Sequence, residues 1–152
     1  MKVRWALGLG VLLGLLGCAK PEWGEDHLGR RVESSALQGR WLVVNYWAEW
    51  CAPCRREIPE LNRVQQEWAA QDVRVLGVNF DGLQGDALTA AVQALGMEYP
   101  SLRQDPSARW KEPRAQGLPL TLVIDPQGQV RLRLAGEQTA HGLGAQLRAL
   151  RP

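Results

Sequence analysis

Two cysteines, Cys51 and Cys54, are separated by two residues in the segment Trp50-Cys51-Ala52-Pro53-Cys54. Thiols at this spacing can meet across one helical turn, so they can close a disulfide and reopen it. The chemistry open to them is thiol–disulfide exchange, in which a thiolate attacks a disulfide sulfur. This chemistry uses the sulfurs alone, and we predict no cofactor beyond a redox-active Cys51–Cys54 disulfide.

The cysteine pair lies between a predicted strand and a predicted helix. Trp41–Trp47 (WLVVNYW) is a continuous β-branched and aromatic run, which is typical of a buried central strand. Cys54–Ala70 repeats apolar residues at helical spacing. Cys51 is therefore expected at a helix N-terminus, where free N–H groups and the helix dipole lower a thiol pKa from its usual ~8.5.

This placement predicts different roles for the residues of the motif. Cys51 is predicted to be the exposed nucleophile, and Cys54, further into the helix, is predicted to resolve the mixed disulfide. Pro53 suits the first turn, where its missing N–H has no consequence. Trp50 is expected beside the pair at the surface. Glu49 is expected in solvent, either tuning the charge near Cys51 or as a plain surface residue.

Three other hypotheses for the pair stay open from the residues alone. A zinc site needs four ligands, and the remaining candidates are Cys18, His27 and His141. A static structural disulfide is the second hypothesis, although a bridge across one helical turn closes a very short loop and stabilises little. Copper handling is the third, and it would favour a wider cysteine spacing with a distal histidine.

The rest of the chain alternates strands and helices. Right-handed crossovers place the first strands parallel, so we predict an α/β fold with a central mixed sheet and helices on both faces. The turn Asp125-Pro126-Gln127-Gly128 predicts an antiparallel hairpin at one edge. The remaining predicted elements are strands at Val73–Phe80, Leu120–Ile124 and Val130–Leu134, helices at Asp86–Leu95 and Thr139–Leu150, and a loop at Arg103–Gly117 with a helical turn around Trp110.

The N-terminus has the pattern of an export signal. A basic start precedes the apolar run Trp5–Gly17, which is shorter than the ~20 residues of a membrane-spanning helix. Leu15-Leu16-Gly17-Cys18 resembles a bacterial lipobox, in which the cysteine after the cleavage site is lipidated; the alternative is an ordinary signal with a stray cysteine. We predict a signal peptide over 1–17, a lipidated Cys18 with a tether over 18–30, and a folded domain over 31–152. The domain would then lie on the periplasmic side of a bacterial envelope membrane.

Composition excludes several classes of protein. The chain has 152 residues, 45% of them hydrophobic, which suits one domain. The formal net charge is +2, from 18 Lys and Arg and 16 Asp and Glu, and the excess of two positive charges equals the contribution of Lys2 and Arg4 in the predicted signal peptide. Because no basic run is present, we expect no nucleic-acid partner. We expect a monomer.

Three segments resemble a known family. Val44–Cys54 (VNYWAEWCAPC) resembles the active-site strand and loop of the thioredoxin superfamily, and Glu57–Leu61 (EIPEL) resembles its membrane-attached TlpA/ResA-like branch. Gly117–Asp125 (GLPLTLVID) resembles the cis-proline strand of that family. The resemblance implies a thioredoxin-like fold. It also implies a cis Pro119 beside the cysteines, with the backbone of Leu118 free to pair with an extended client chain; the alternative is an ordinary proline at a strand start.

The resemblance implies an enzyme that exchanges disulfides with client proteins. We expect the reducing direction, with electrons from a membrane donor of the DsbD/CcdA type. Cytochrome c maturation is one candidate pathway, but Gln116–Leu120 does not match the G-V-x-G-x-P-E run of that branch, so a general reductase is preferred. The alternative is a copper or thiol-partner chaperone on the same fold, without turnover.

One residue departs from thioredoxin. Thioredoxin has a buried Asp in the strand before its active site, which serves proton transfer, whereas this chain has Asn45, which cannot titrate. If an internal base is needed, the candidates are Asp81 at the end of the second strand and Glu49 beside the motif. The alternative for Asp81 is a turn carboxylate beside Gly82.

Overall fold

The computed structural model describes residues 23–151, so the signal peptide, Cys18 and the first part of the tether lie outside the described residues. The predicted strands and helices are confirmed, with ends that differ by up to two residues. No helix within the described part is long and apolar enough to cross a bilayer. The strands are β1 (Trp41–Trp47), β2 (Val73–Asn79), β3 (Ser101–Leu102), β4 (Leu120–Ile124) and β5 (Val130–Ala135), and the helices are α1 (Ser34–Leu37), α2 (Ala52–Trp68), α3 (Gly85–Ala94) and α4 (Ala140–Leu150).

The strands form one mixed sheet in the order β3-β2-β1-β4-β5. β1, β2 and β3 are parallel, whereas β4 runs antiparallel to β1 and β5 runs antiparallel to β4. All residues of β1 are buried, as its apolar composition predicted. The central mixed sheet and its antiparallel hairpin are therefore confirmed. The cysteine motif follows directly after the carboxyl end of β1.

The helices are divided unequally between the two faces of the sheet. α2, α3 and α4 all contribute to the core that contains Val43 and Trp47. The steps from β1 to β2 and from β2 to β3 go in the same direction, so right-handed crossovers place α2 and α3 on the same face. The opposite face is covered mainly by α1, the 3-10 turn Ser107–Trp110 and the partly buried Trp23. Helical cover of both faces was predicted, but this imbalance was not.

Residues 23–30 belong to the folded domain, which corrects the prediction that the tether extends to Arg30. The His27 N–H donates to the Ser101 carbonyl at 2.7 Å. The buried Asp26 carboxylate accepts the N–H groups of Leu28 and Arg30, each at 2.9 Å. Burial opposes ionisation, but these bonds and the Arg30 guanidinium hold the pKa of Asp26 below its ordinary value. The polar composition of this segment is explained by these bonds rather than by solvent exposure.

Gly77, in β2, lies where three side chains converge. A Cβ at this position would lie 2.9 Å from Trp47 Nε1, 3.1 Å from Ser101 Oγ and 3.2 Å from Met97 Sδ. Trp47 Nε1 donates to Ser101 Oγ at 3.2 Å, so neither group can move without weakening that bond. We expect Gly77→Ala to lower the free energy of unfolding by about 2 kcal/mol, measured by guanidinium denaturation. Gly117→Ala, whose Cβ would meet open space, is the control, and an equal loss in both variants would contradict this packing argument.

Candidate active site

Cys51 and Cys54 lie at the N-terminus of α2, directly after β1. Cys51 is the N-cap residue, and its Sγ accepts the Cys54 N–H at 3.3 Å. The two sulfurs are joined in a disulfide, with the Cα atoms 5.2 Å apart. Pro53 occupies the first turn, where no N–H donor is required. The fold therefore gives the pair the position that the strand-to-helix pattern predicted.

Both cysteines are buried in this oxidised form. Cys51 is 4% exposed and Cys54 is fully buried. The predicted order of accessibility is therefore found, but the prediction of an exposed Cys51 is wrong for the disulfide. The reason is that Cys51 joins the apolar core formed with Trp47 and Ala48. Of the two cysteines, only Cys51 retains any exposed surface.

Trp50 forms an exposed aromatic surface beside the pair. It is 64% exposed, and its ring meets Phe80 edge-on at 6.3 Å between centroids. Its Nε1 donates to Asp81 Oδ2 at 2.9 Å. Asp81 is therefore an exposed carboxylate that orients Trp50, and the hypothesis that it is the internal base is wrong, because a strand-end turn carries it to the surface. Glu49 is likewise exposed, and its carbonyl accepts Arg55 Nη1 at 3.1 Å.

The buried carboxyl group nearest to the pair along α2 is Glu57, which the sequence pattern did not identify as a base. Glu57 and Cys54 are both fully buried, and their spacing places them on the same side of the helix. Its Oε1 accepts Asn45 Nδ2 at 2.6 Å, and its Oε2 accepts the Gln138 N–H at 3.0 Å. Burial raises the pKa of Glu57 to about 7, against the effect of these two hydrogen bonds and with a contribution from the charge of Glu137. A buried carboxyl group whose pKa lies near neutrality is therefore found about one helical turn after Cys54.

Asn45 connects this carboxyl group to the sheet. It is fully buried in β1, and its Nδ2 also reaches Thr121 Oγ1 at 3.2 Å. Asn45 therefore positions Glu57 rather than exchanging a proton itself. One sequence signal could have found Glu57, since it follows Cys54 by three residues and adjoins the apolar stripe of Ile58 and Leu61.

The loop before β4 packs Leu118 against the core cluster that contains both cysteines. The Leu118–Pro119 peptide bond is cis, as the resemblance implied. Pro119 is buried, and its carbonyl accepts the Gly136 N–H at 2.9 Å. Within residues 23–151, no backbone hydrogen bond uses the N–H or the carbonyl of Leu118. The Leu118 backbone can therefore bond to an incoming chain.

The zinc hypothesis finds no ligand set in the part of the chain that the structure describes. No group of three or more His, Cys, Asp or Glu side chains lies together there. The Nδ1 atom of His27 instead accepts the Ser101 N–H at 3.3 Å.

The fold and the cysteine pair define a thiol–disulfide oxidoreductase with a thioredoxin-like fold. The chain belongs to the AhpC/TSA family, whose sequence profile matches residues 18–133. It is 27% identical over 128 residues to the thiol-disulfide oxidoreductase ResA of Bacillus subtilis, covering 84% of this chain and 71% of ResA. It is 29% identical over 143 residues to the thiol-disulfide oxidoreductase ResA of Geobacillus thermodenitrificans, and the match covers 90% of this chain and 79% of that protein.

A solved structure confirms the fold independently of these sequence relatives. The thioredoxin-family thiol:disulfide interchange protein of Chlorobium tepidum superposes with a TM-score of 0.70 at 26% identity, over 83% of this chain and 90% of that one. The predicted resemblance to the thioredoxin superfamily is thereby confirmed.

Proposed function

We propose that this protein is a lipid-anchored, exported reductase of protein disulfides, re-reduced by a membrane donor of the DsbD/CcdA type. One observation carries the redox part of the proposal: Cys51 and Cys54 meet at a helix N-terminus with the Glu57 carboxyl group buried behind them. The lipid anchor on Cys18 and the periplasmic location rest on the signal and lipobox pattern alone.

The first step is attack by the Cys51 thiolate on a client disulfide. Its sulfur bonds to one client sulfur, the client S–S bond breaks, and the departing client thiolate takes up a proton. Free N–H groups and the dipole at the start of α2 favour the thiolate over the thiol at this position. The product is a mixed disulfide between Cys51 and the client.

The second step releases the client. The Cys54 thiol gives its proton to the Glu57 carboxylate, and the Cys54 sulfur then attacks the Cys51 sulfur. The mixed disulfide breaks, and the client leaves as a thiolate that takes up a proton from water to become its second thiol. Two electrons have moved to the client, and the enzyme holds the Cys51–Cys54 disulfide that the structure contains. A membrane dithiol donor must then return two electrons before another turnover.

Client binding is supported by the loop before β4. Within the described residues, the N–H and carbonyl of Leu118 make no backbone hydrogen bond, so they offer a donor and an acceptor to an extended client chain. This arrangement is pairing by strand addition, which recognises a backbone with little regard for its sequence. A general reductase, acting on more than one client, is favoured by such contacts.

The proposed reducing direction requires an electron donor. An exported compartment is oxidising, so a dithiol there stays reduced only if electrons are supplied across the membrane. A lipid on Cys18 would keep the domain near such a donor.

An insulin-reduction assay driven by dithiothreitol separates the enzyme from the chaperone alternative. We expect catalysis above the rate with dithiothreitol alone, dependent on Cys51. Tight stoichiometric Cu(I) binding without acceleration of insulin reduction would instead support the copper chaperone and overturn the proposal.

A further inference from the structure

Trp23, at the start of the described residues, is held in the fold by its neighbours. It packs against the core on the face of the sheet that α1 and the 3-10 turn cover. Its ring centroid lies 5.8 Å from that of Trp110. The guanidinium carbon of Arg109 stacks over the same ring, 4.3 Å from its centroid. These contacts fix the point at which residues 1–22 join the domain.

The segment between Trp23 and Cys18 is short. Because residues 23–30 belong to the folded domain, only residues 19–22 separate the two. Even fully extended, the five peptide units from Cys18 to Trp23 reach at most ~18 Å. The polar headgroup layer on each side of a bilayer is itself about 5–7 Å thick. A lipid on Cys18 would therefore hold Trp23 and its neighbours within reach of the headgroups.

The surface around Trp23 combines aromatic rings with exposed positive charges. We call the surface formed by Trp23, Arg109, Trp110 and Lys111 the Trp23 face. Arg109 and Lys111 are exposed, and the two tryptophans are partly buried. Tryptophan favours the membrane–water interface, and Lys and Arg near a membrane are attracted by anionic headgroups.

The carboxylates near the Trp23 face are bonded within the domain. Asp125 is 4% exposed, and its Oδ1 accepts two backbone N–H groups of its own turn. Asp105 accepts the Tyr46 hydroxyl at 2.9 Å, and Glu112 forms an ion pair with Arg133. The charge that this face presents to a neighbouring surface is therefore positive.

We propose that the Trp23 face contacts the headgroups of anionic phospholipids in the membrane that holds the lipid anchor. The inference rests on the proposed function, because it needs the lipid on Cys18, and it adds which face of the domain is turned to the bilayer. Cys51 and Cys54 belong to the core on the other face of the sheet. Contact through the Trp23 face therefore leaves the pair uncovered for the client and the donor.

The test uses the full chain, processed and lipidated in a bacterial host and reconstituted into vesicles of phosphatidylcholine and phosphatidylglycerol. A phospholipid with a nitroxide on its headgroup quenches tryptophan fluorescence only at close range. We expect quenching that is largely lost in Trp23→Phe/Trp110→Phe, which removes the two reporters and keeps aromatic rings in place. Trp68→Phe, on the other face of the sheet, and Trp50→Phe, beside Cys51, should each leave the quenching in place.

Charge variants identify the lipid. Arg109→Glu/Lys111→Glu should lower the fraction of domains in contact at least about tenfold, and vesicles without phosphatidylglycerol should have the same effect. Lys111→Glu alone, which keeps Arg109 stacked on Trp23, should lower it about fivefold. Arg63→Glu/Arg148→Glu makes the same change of charge on exposed residues of α2 and α4, on the other face of the sheet, and should leave the contact unchanged.

Mass spectrometry of Cys18 separates the outcomes. If Cys18 is lipidated but quenching is absent, or persists in Trp23→Phe/Trp110→Phe, the inference is overturned and the anchor stands. If the quenching comes from these two tryptophans but is insensitive to phosphatidylglycerol and to Arg109→Glu/Lys111→Glu, the assignment to anionic lipid is overturned. If Cys18 carries no lipid, the anchor in the proposed function fails and this inference fails with it, while insulin reduction still tests the redox part separately.

Discussion

Cys51→Ser should reduce the rate of insulin reduction by at least about a thousandfold, because it removes the sulfur that attacks the client. The variant should still fold. A serine hydroxyl can accept the Cys54 N–H as the Cys51 sulfur does, and serine is among the favoured N-cap residues. The measurement is the initial rate under dithiothreitol, with far-UV circular dichroism confirming the helix content.

Cys54→Ser is the matched control, because it keeps the attacking sulfur and removes the resolving one. We expect a single turnover that stops at the mixed disulfide, visible by mass spectrometry as one client covalently bound to Cys51. If Cys54→Ser turns over normally while accumulating no adduct, or if Cys51→Ser forms the adduct instead, the order of the two cysteines is contradicted.

Glu57→Gln should slow the release of client from the mixed disulfide by about a hundredfold at pH 8, since no carboxylate is left to take the Cys54 proton. In the unmodified enzyme this step should accelerate as pH rises through about 7, because burial raises the pKa of Glu57 to about 7 and only the ionised form accepts a proton. The measurement is the single-turnover rate of client release across pH 5 to 8. A pH midpoint near 7 that persists in Glu57→Gln would contradict the role of this carboxyl group.

The same carboxyl group makes stability depend on pH. Its pKa is about 7 in the folded protein against an ordinary 4.5, so the folded state binds this proton more tightly than the unfolded chain. Its contribution is fully present below about pH 4.5 and is lost as pH rises to about 7, by about 1 kcal/mol per pH unit. Guanidinium denaturation of the oxidised protein at pH 5 and pH 7 should show this decline.

Two variants isolate the contribution of Glu57 to that decline. The decline should disappear in Glu57→Gln and remain in Glu67→Gln, which alters an exposed residue of the same helix. A decline of equal size in both variants would assign the pH dependence to another group.

Local pattern was sufficient to predict the cysteine site. The apolar run of β1, the Cys-x-x-Cys spacing and the helical periodicity after it are all short-range features, and together they place the pair at a strand-to-helix junction. The cis bond at Pro119 followed from resemblance, since nothing in the spacing of that segment distinguishes it from an ordinary strand start.

The features that the sequence did not predict depend on contacts between distant segments. Glu57 is an ionisable residue on a helix face that is otherwise apolar and predicts burial in the core. Only its hydrogen bonds to Asn45 and Gln138, which the sequence does not show, explain how a carboxyl group can be buried there. Asp81 had a plausible position at a strand end, yet the turn after β2 carries it outwards to Trp50. Residues 23–30 look like a tether by composition, and their partner Ser101 is more than 70 residues away.

The claim on which the proposed function most depends is that Cys51 and Cys54 form a reversible two-electron couple able to reduce clients. The direct test is the reduction potential of this couple, obtained by equilibrating the protein with dithiol and disulfide mixtures and counting free thiols by alkylation. We predict one two-electron transition near thioredoxin's ~−270 mV. A potential near ~−120 mV, that of a strong oxidant, or a disulfide that does not exchange at all, would contradict the claim.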